Sequence, residues 1–331
     1  LAIMPWNFPY WQVVRAAAPA LCAGNVIVLK HAPNVPGCAL VIEEVFREAD
    51  LPGGSFQTLL LANERIPAVI ADERIQAVTL TGSPRAGRIV AALAGQAMKK
   101  GVFELGGSDA YLVLDDADLD RAAEICAESR LINSGQSCIC AKRFIVAAGV
   151  RREFERKFVE RIAARSVGDP REEATQVGPL AREDLRRRLE TQVAVTLKRG
   201  ARLLHGGGPV RGPGYFYAPT VLTSVPAASP AYSEELVGPV AAIIPARTEA
   251  AAVEIANDSP YGLGAAVFSR DVARARRIAE RLQAGAVFVN DFVRSDPSLP
   301  FGGVKSSGYG RELGIFGLRE FVNIKTVCVR E

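Results

Sequence analysis

Between Val13 and Leu105 the chain repeats one pattern, an apolar run followed by a breaker and then a longer run with helical spacing. Helices are expected at 13–21, 35–49, 66–71 and 85–97, and strands at 25–30, 55–61, 75–81 and 102–105, with Leu1 to Trp6 reading as the middle of an apolar strand. Strands that alternate with helices imply a parallel sheet, since parallel neighbours need a crossover and that crossover is usually a helix. Ligands of such sheets sit beyond the carboxyl ends of the strands. The residues that fall there are Asn7, Lys30, Gly82, Ser83 and Glu104.

The second half repeats the α/β pattern. Strands are expected at 110–114, 144–148, 219–222, 240–244, 264–268 and 286–290, and helices at 119–132, 152–164, 182–199, 250–257 and 272–283. His205-Gly206-Gly207-Gly208 reads as a polar turn, and Gly308 to Gly314 as loop. The run from Glu320 to Val329 reads as an extended edge without an evident partner, and such edges usually pair with something, often a second subunit.

With 331 residues the chain has room for two domains. Its net charge of +4 comes from 40 basic and 36 acidic residues that interleave, as in Arg152-Glu153-Phe154-Glu155-Arg156, so no basic stripe marks a nucleic-acid footprint. No apolar run has the roughly 18 residues of a membrane span. The six cysteines form no Cys-x-x-Cys pair and have only His31 and His205 as imidazole partners, which speaks against a metal site and for a reducing, cytoplasmic setting.

Three stretches carry chemistry. Thr81-Gly82-Ser83-Pro84 is a strand, a turn and a helix start, an arrangement that offers N–H groups to a phosphate, although an ordinary N-cap looks the same. Glu104 ends an apolar strand, where burial would raise its pKa and suit it to accept a proton from water. Asn133 to Cys140 contains small and amide-bearing residues around Cys138, the composition needed to hold an oxyanion beside a thiolate. A lone cysteine is otherwise a small buried hydrophobe.

Taken in chain order, these motifs resemble those of the aldehyde dehydrogenase superfamily. Pro5-Trp6-Asn7-Phe8-Pro9 is similar to its asparagine loop, Lys30 to its adenosine-ribose lysine, and Gly82-Ser83 with Gly87 to its phosphate turn. Glu104-Leu105-Gly106-Gly107 resembles its general-base motif, Gly135-Gln136-Ser137-Cys138 its nucleophile motif, Glu234 to Val240 its nicotinamide-ribose segment, and Pro300 to Gly308 the loop before its oligomerisation strand. The resemblance implies an α/β, aldehyde dehydrogenase-like fold: a Rossmann-type parallel-sheet cofactor domain over 1–106, an α/β catalytic domain over 107–300, and a return segment with an oligomerisation strand over 301–331. It implies a homodimer or homotetramer and, because members are longer at their start, an opening segment that this sequence lacks.

It also implies residue roles. Cys138 would attack an aldehyde, Asn7 and the Cys138 N–H would hold the oxyanion, and Glu104 would activate the water that hydrolyses a thioester. Trp6, Lys30, His31, Gly82, Ser83, Leu105 and Glu235 would bind NAD or NADP. Members that prefer NAD usually carry Glu at the position of Pro33, so NADP is expected to be tolerated or preferred; Val237 replaces the usual Phe. Within the family the likeness is to bacterial succinate-semialdehyde dehydrogenases, through Lys30 to Asn34 and Glu104 to Asp109, with Arg15, Trp11 and Ser295 as substrate residues. Ile132 replaces a second arginine of some members, which keeps glutaric semialdehyde open as the substrate, and a truncated, inactive member is the other alternative. Cys140 completes a Cys-x-Cys and is read either as a redox partner of Cys138 through a strained, exposed disulfide or as a small buried residue. A thiol hydrolase would need a histidine partnered with the cysteine, yet His31 and His205 lie in a cofactor-like segment and a glycine turn.

Overall fold

The computed structural model describes residues 1–331. The chain divides into two compact units, one of residues 1–105, 295–302 and 308–331, the other of residues 106–294 and 303–307. Residues 295–300, assigned to the catalytic domain on sequence grounds, thus lie with the first unit.

The first unit begins with β1 (Ala2–Met4), α1 (Trp11–Cys22), β2 (Ile27–His31), α2 (Pro36–Glu48), β3 (Phe56–Thr58), α3 (Ile66–Ala71), β4 (Ala77–Thr81), α4 (Pro84–Gln96) and β5 (Lys100–Glu104). These strands form a parallel sheet in the order β5-β4-β1-β2-β3. Side chains alternate between its faces. Ala2, Met4, Ile27 and Leu29 pack with Val13, Ala16 and Ala17 of α1 and Ile42 of α2. Val78, Leu80 and Phe103 pack with Ile66 and Ile70 of α3 and Val90 and Ala94 of α4. Each fully buried aliphatic side chain of this kind contributes about 1.5–3 kcal/mol. The chain lays β2 and β3 to one side of β1, then returns to place β4 and β5 on the other. The carboxyl ends of β1 and β4 therefore flank a topological switch point, where open α/β sheets bind ligands.

The second unit contains β6 (Asp109–Val113), α5 (Leu119–Leu131), β7 (Ala141–Ala147), α6 (Arg151–Ala163), α7 (Glu183–Lys198), β8 (Arg202–His205), β9 (Thr220–Thr223), α8 (Pro230–Ser233), β10 (Val240–Ala246), α9 (Glu249–Asn257), β11 (Gly264–Phe268), α10 (Val272–Ala279) and β12 (Ala286–Val289). Its sheet runs β12-β11-β6-β7-β10-β9-β8, antiparallel only at β8 and β9. Leu112, Ile145, Ile244 and Val267 fill one face, and Tyr111, Val113, Phe144 and Val146 the other. Side-chain caps start several helices: Asp118 accepts from the Arg121 N–H before α5, Thr248 from Ala251 before α9, and Asp271 from Arg274 before α10. Each cap contributes about 1 kcal/mol. The cysteine loop precedes β7 and so lies at the amino ends of this sheet, opposite to the end where sequence reasoning looks for ligands.

After Ser307 the chain adds β13 (Gly308–Tyr309) to the first unit, antiparallel to β5, and then α11 (Gly314–Glu320). Four differences from the sequence reading follow. The strand expected from Phe144 starts at Ala141 and takes in Lys142 and Arg143, both buried. β8 covers 202–204, a stretch without an expected strand, and ends at His205, read as the start of a turn. β13 forms inside a stretch read as loop, with Gly308 opposite Glu104. Residues 322–331 belong to no strand, because no element of the chain offers them a ladder, and Ile324, Val327 and Val329 are exposed. No helix is long and apolar enough to cross a membrane.

β13 closes over the strand that carries Glu104, and it requires a glycine. Gly308 has φ of +113°, and a Cβ there would stand 1.8 Å from the Phe103 carbonyl oxygen. Gly308→Ala is expected to lower stability by at least about 1–3 kcal/mol through backbone clash. The urea midpoint measures this; an unchanged midpoint contradicts the pairing.

Candidate active site

The cysteine loop is held in a costly backbone shape by many partners. After α5 ends at Leu131, Asn133 and Ser134 adopt left-handed φ of 50° and 55°, followed by Gly135 at 77°. Non-glycine residues avoid this region, so surrounding contacts must fix it. They do. Ser134 Oγ accepts from the Gly178 N–H at 2.9 Å, Gln136 Oε1 accepts from the Ala181 N–H at 2.8 Å, and Gln136 Nε2 donates to the Asn133 carbonyl at 3.1 Å. Gly135 has no alternative: a Cβ would meet the Gly238 carbonyl oxygen at 2.3 Å.

Two buried cations close the loop. Arg130, at the end of α5, donates through Nη2 to the carbonyls of Gly135 and Gly238, each at 2.8 Å, and lies 3.1 Å from Cys140 Sγ. Lys142, on β7, donates through Nζ to the carbonyls of Ser137, Cys138 and Cys140 at 3.1, 2.8 and 3.1 Å. Charge-assisted bonds of this kind contribute about 1.5–3 kcal/mol each and offset the cost of burying the charge. Cys138 itself is partly exposed, whereas Cys140 is fully buried, a free thiol that donates to the Ser137 carbonyl at 2.8 Å. The exposed disulfide expected of Cys140 is not formed, and its burial gives that thiol a packing role in the loop. Nearby, burial pushes Asp109 up to about 6 against the pull of Lys142. Burial likewise raises Glu235, which accepts from the Gly107 N–H at 3.3 Å.

In the first unit, Asn7 follows β1, and its Oδ1 accepts from Nε2 of the buried Gln12 at 3.2 Å. That bond assigns the amide orientation and leaves Asn7 Nδ2 as the donor side. Glu104, at the carboxyl end of β5, is 2% exposed, and neither carboxyl oxygen has a hydrogen-bond partner. Burial, and then the neighbouring Glu312 carboxylate, push its pKa well above the usual carboxylate range, with Arg15 and Arg311 pulling the other way. A carboxyl group with a raised pKa is a better proton acceptor than one in water.

Arg15, expected to contact substrate, is engaged within its own unit. It is 3% exposed, ion-paired with Glu312, 3.4 Å from Ser295 Oγ through Nη1, and its guanidinium lies 4.4 Å from the Phe301 ring centre. The carboxylate it meets is thus the chain's own, and with Ser295 it ties α1 to the segments that return to this unit. Trp11, at the start of α1, is exposed.

Of the residues expected to hold a dinucleotide, Trp6, Lys30, His31, Gly82, Ser83 and Leu105 lie at or after the carboxyl ends of strands in the first sheet, and Glu235 lies in the second unit. Ser83 caps α4 by accepting from the Ala86 N–H at 3.2 Å, as an ordinary N-cap does, and Gly82 donates its N–H to the Glu104 carbonyl at 2.9 Å. Lys30 Nζ reaches Asn63 Oδ1 at 2.6 Å, and burial lowers its pKa. Thr81, which ends β4, keeps a buried hydroxyl without a partner. A helix start, an ammonium and an unsatisfied hydroxyl around the switch point fit a phosphate-bearing, ribose-bearing ligand. Trp6, half-buried, lies on the loop after β1. Two expected contacts turn inward instead. His31 is buried, with Nε2 2.9 Å from the Pro9 carbonyl oxygen and Nδ1 2.9 Å from the Ala32 N–H, so it braces the asparagine loop. Leu105 belongs to the core under α4. No cluster of three or more His, Cys, Asp or Glu could hold a metal ion.

Sequence reasoning missed Gln12, Arg130, Lys142 and Glu312. Lys142 and Arg143 interrupt an apolar run, which is the signature of a loop unless a site behind the strand takes their charge. Gln12 lies in the first turn of α1, five residues after Asn7, where its side chain can reach back to the loop, and that spacing was a usable signal.

Comparison with known proteins accounts for the whole arrangement. A profile of the aldehyde dehydrogenase family matches residues 1–327. The chain is 52% identical to the NAD(P)+ succinate semialdehyde dehydrogenase Sad of Escherichia coli (strain K12), over 99% of this chain and 71% of that protein. It is 50% identical to the NADP+ succinate-semialdehyde dehydrogenase 1 of Mycobacterium bovis (strain BCG / Pasteur 1173P2), over 99% of this chain and 72% of that one. A crystal structure of succinic semialdehyde dehydrogenase from Streptococcus pyogenes in complex with NADP+ superposes with a TM-score of 0.97 at 40% identity, covering 100% of this chain and 72% of that chain. The chain belongs to the aldehyde dehydrogenase family.

Proposed function

We propose that this protein oxidises succinic semialdehyde to the dicarboxylic acid with NADP+ or NAD+, with Cys138 as nucleophile, Asn7 as oxyanion donor and Glu104 as general base. The observation that carries the reading is Glu104, an unpartnered buried carboxyl with a raised pKa on the strand end where the family motif places a base. The named substrates and cofactors of the relatives support the rest.

The Cys138 thiolate adds to the aldehyde carbon, and the carbonyl electron pair moves to oxygen, where Asn7 Nδ2–H and the Cys138 N–H stabilise the charge. When bound, the nicotinamide ring supplies the acceptor for the hydride that leaves this carbon. Glu104 then takes a proton from water as its hydroxide adds to the thioester, and the Cys138 thiolate is released with the acid. Gln12 keeps the Asn7 amide turned so that its donor faces the substrate. Lys30, Gly82, Ser83 and Thr81 would hold the dinucleotide, with Glu235 toward the nicotinamide ribose. Pro33 places no carboxylate against a 2′-phosphate, which supports use of NADP. Arg15 is engaged by Glu312, so selectivity for one carboxylate-bearing aldehyde rests on exchange of that partner, and glutaric semialdehyde stays the second reading. The exposed Ile324, Val327 and Val329 support assembly as a homodimer or homotetramer, and the unpaired thiols of Cys126 and Cys140 support a cytoplasmic setting.

Nucleotide reduction followed at 340 nm with a panel of aldehydes tests the reading. Succinic semialdehyde is expected to give the highest kcat/KM, glutaric semialdehyde a lower one, and NADP+ to serve at least as well as NAD+. Tight nucleotide binding without reduction by any aldehyde overturns it.

Glu104 also leaves a stability signature. Its folded pKa is raised, so the wild-type fold loses stability as pH climbs from the unfolded value through the folded one. Glu104→Gln removes that penalty. The variant is expected to melt higher than wild type at pH 8 and equally at pH 4, while losing turnover; a lower Tm at pH 8 contradicts the buried, raised carboxyl.

A further inference from the structure

The proposed nucleophile needs thiolate character, and its own unit supplies no imidazole for it. His205 lies on β8, at the sheet edge three strands from β7. What stands beside the loop is Lys142, wholly buried, with its three N–H donors directed to three backbone carbonyls. All three hydrogen bonds of its ammonium go to this loop.

Peptide geometry makes the consequence specific. In a trans peptide the carbonyl of one residue and the N–H of the next point in opposite directions. With the Ser137 carbonyl on Lys142 Nζ, the Cys138 N–H points away from the lysine. The Cys138 carbonyl on the same ammonium turns the Ile139 N–H likewise. The Cys140 carbonyl completes the turn, and the following Ala141 N–H is taken by Ser129 Oγ at 3.1 Å. One side of the loop is thus lined with carbonyls around a cation, and its other side presents amide dipoles.

We propose that Lys142 is the positioning residue of the nucleophile: by gathering the carbonyls of Ser137, Cys138 and Cys140, its ammonium turns the Cys138 N–H toward the reacting oxygen and keeps the Cys138 thiol ionised at neutral pH. This rests on the reading of Cys138 as nucleophile. The other charged groups around Lys142 are Arg130 from α5, Arg143 from β7, Asp109 at the start of β6 and Glu235 before β10, with Arg188 of α7 facing Glu235. Arg143 is committed elsewhere, to the carbonyls of Ser108, Ile255 and Ala256 at 3.1, 2.8 and 2.9 Å. Asp109 and Glu235 both face Lys142, and burial raises the pKa of both, that of Asp109 to about 6. At neutral pH an ionised Asp109 thus offsets part of the lysine's field while the three carbonyls stay gathered on Nζ. Arg130 reinforces the arrangement from the far side of the loop through Gly135 and Gly238.

The test is the pH dependence of iodoacetamide labelling at Cys138, read by mass spectrometry of its peptide, without aldehyde or nucleotide. Wild type is compared with Lys142→Met, Lys142→Gln, which keeps a donor without the charge, and Lys142→Arg, which keeps the charge. The labelling midpoint is expected to rise by about one pH unit in the Met and Gln variants, as for loss of an opposite charge nearby, and to stay near wild type in the Arg variant. kcat at neutral pH is expected to fall with it and KM to change little. Met or Gln variants that retain the wild-type circular dichroism and melting transition yet label with the wild-type midpoint overturn the proposal. A midpoint that shifts as expected in a protein that reduces no nucleotide upholds the role of Lys142 and refutes the dehydrogenase reading, so the two fail separately.

Discussion

Arg130 pins the loop that carries Cys138. Its guanidinium spans from the Gly135 carbonyl to the Gly238 carbonyl, and so joins the end of α5, the left-handed turn and the segment that runs from Glu235 into β10. Asn133 and Ser134 hold an unfavourable backbone only because such contacts outweigh its cost, on the order of 1–3 kcal/mol per residue. Lys142 closes the same loop from the strand side. The result is a loop whose carbonyls at Asn133, Gly135, Ser137, Cys138 and Cys140 are engaged by surrounding groups, with the Cys138 thiol partly exposed. Preorganisation here is a matter of where backbone dipoles have been forced to point.

The two units solve the placement of chemistry differently. In the first, the residues of interest lie at the carboxyl ends of a parallel sheet: Asn7 after β1, His31 ending β2, Thr81 ending β4 and Glu104 ending β5. In the second, Cys138 lies before β7, and of the polar groups near it Asp109 opens β6 and Glu235 precedes β10. Glu104, the proposed base, shows how a strand end can raise a carboxyl. The strand supplies rigidity and burial, Glu312 adds a like charge, and Arg15 pulls the other way, with the net effect of raising the carboxyl well above its usual range.

Much of this was legible in the sequence, and the failures have physical causes. The alternation of elements gave both sheets, since apolar periodicity reports burial directly, and α3 and β11 agree with their expected bounds. The candidate nucleophile, base and amide were visible because their residue types are unusual in such settings. What stayed hidden were side chains whose value depends on a distant partner. Lys142 read as a break in a strand, since an ammonium is rarely buried and three carbonyls from the preceding turn cannot be seen in a linear pattern. Glu312 and Arg15 stand 297 positions apart, and nothing local announces their pairing. β13 was lost because two residues carry no periodicity, and the segment 322–331 because a strand is defined by a partner that the chain does not supply.

The central claim is that Cys138 carries the substrate while Glu104 releases it. The most direct measurement is a rapid quench of Glu104→Gln mixed with succinic semialdehyde and NADP+, followed by mass spectrometry of the cysteine peptides. The account predicts one round of NADPH formation and a stable acyl adduct on Cys138 and on no other cysteine. Continued turnover without an adduct, or an adduct on Cys140 or another residue, would contradict it.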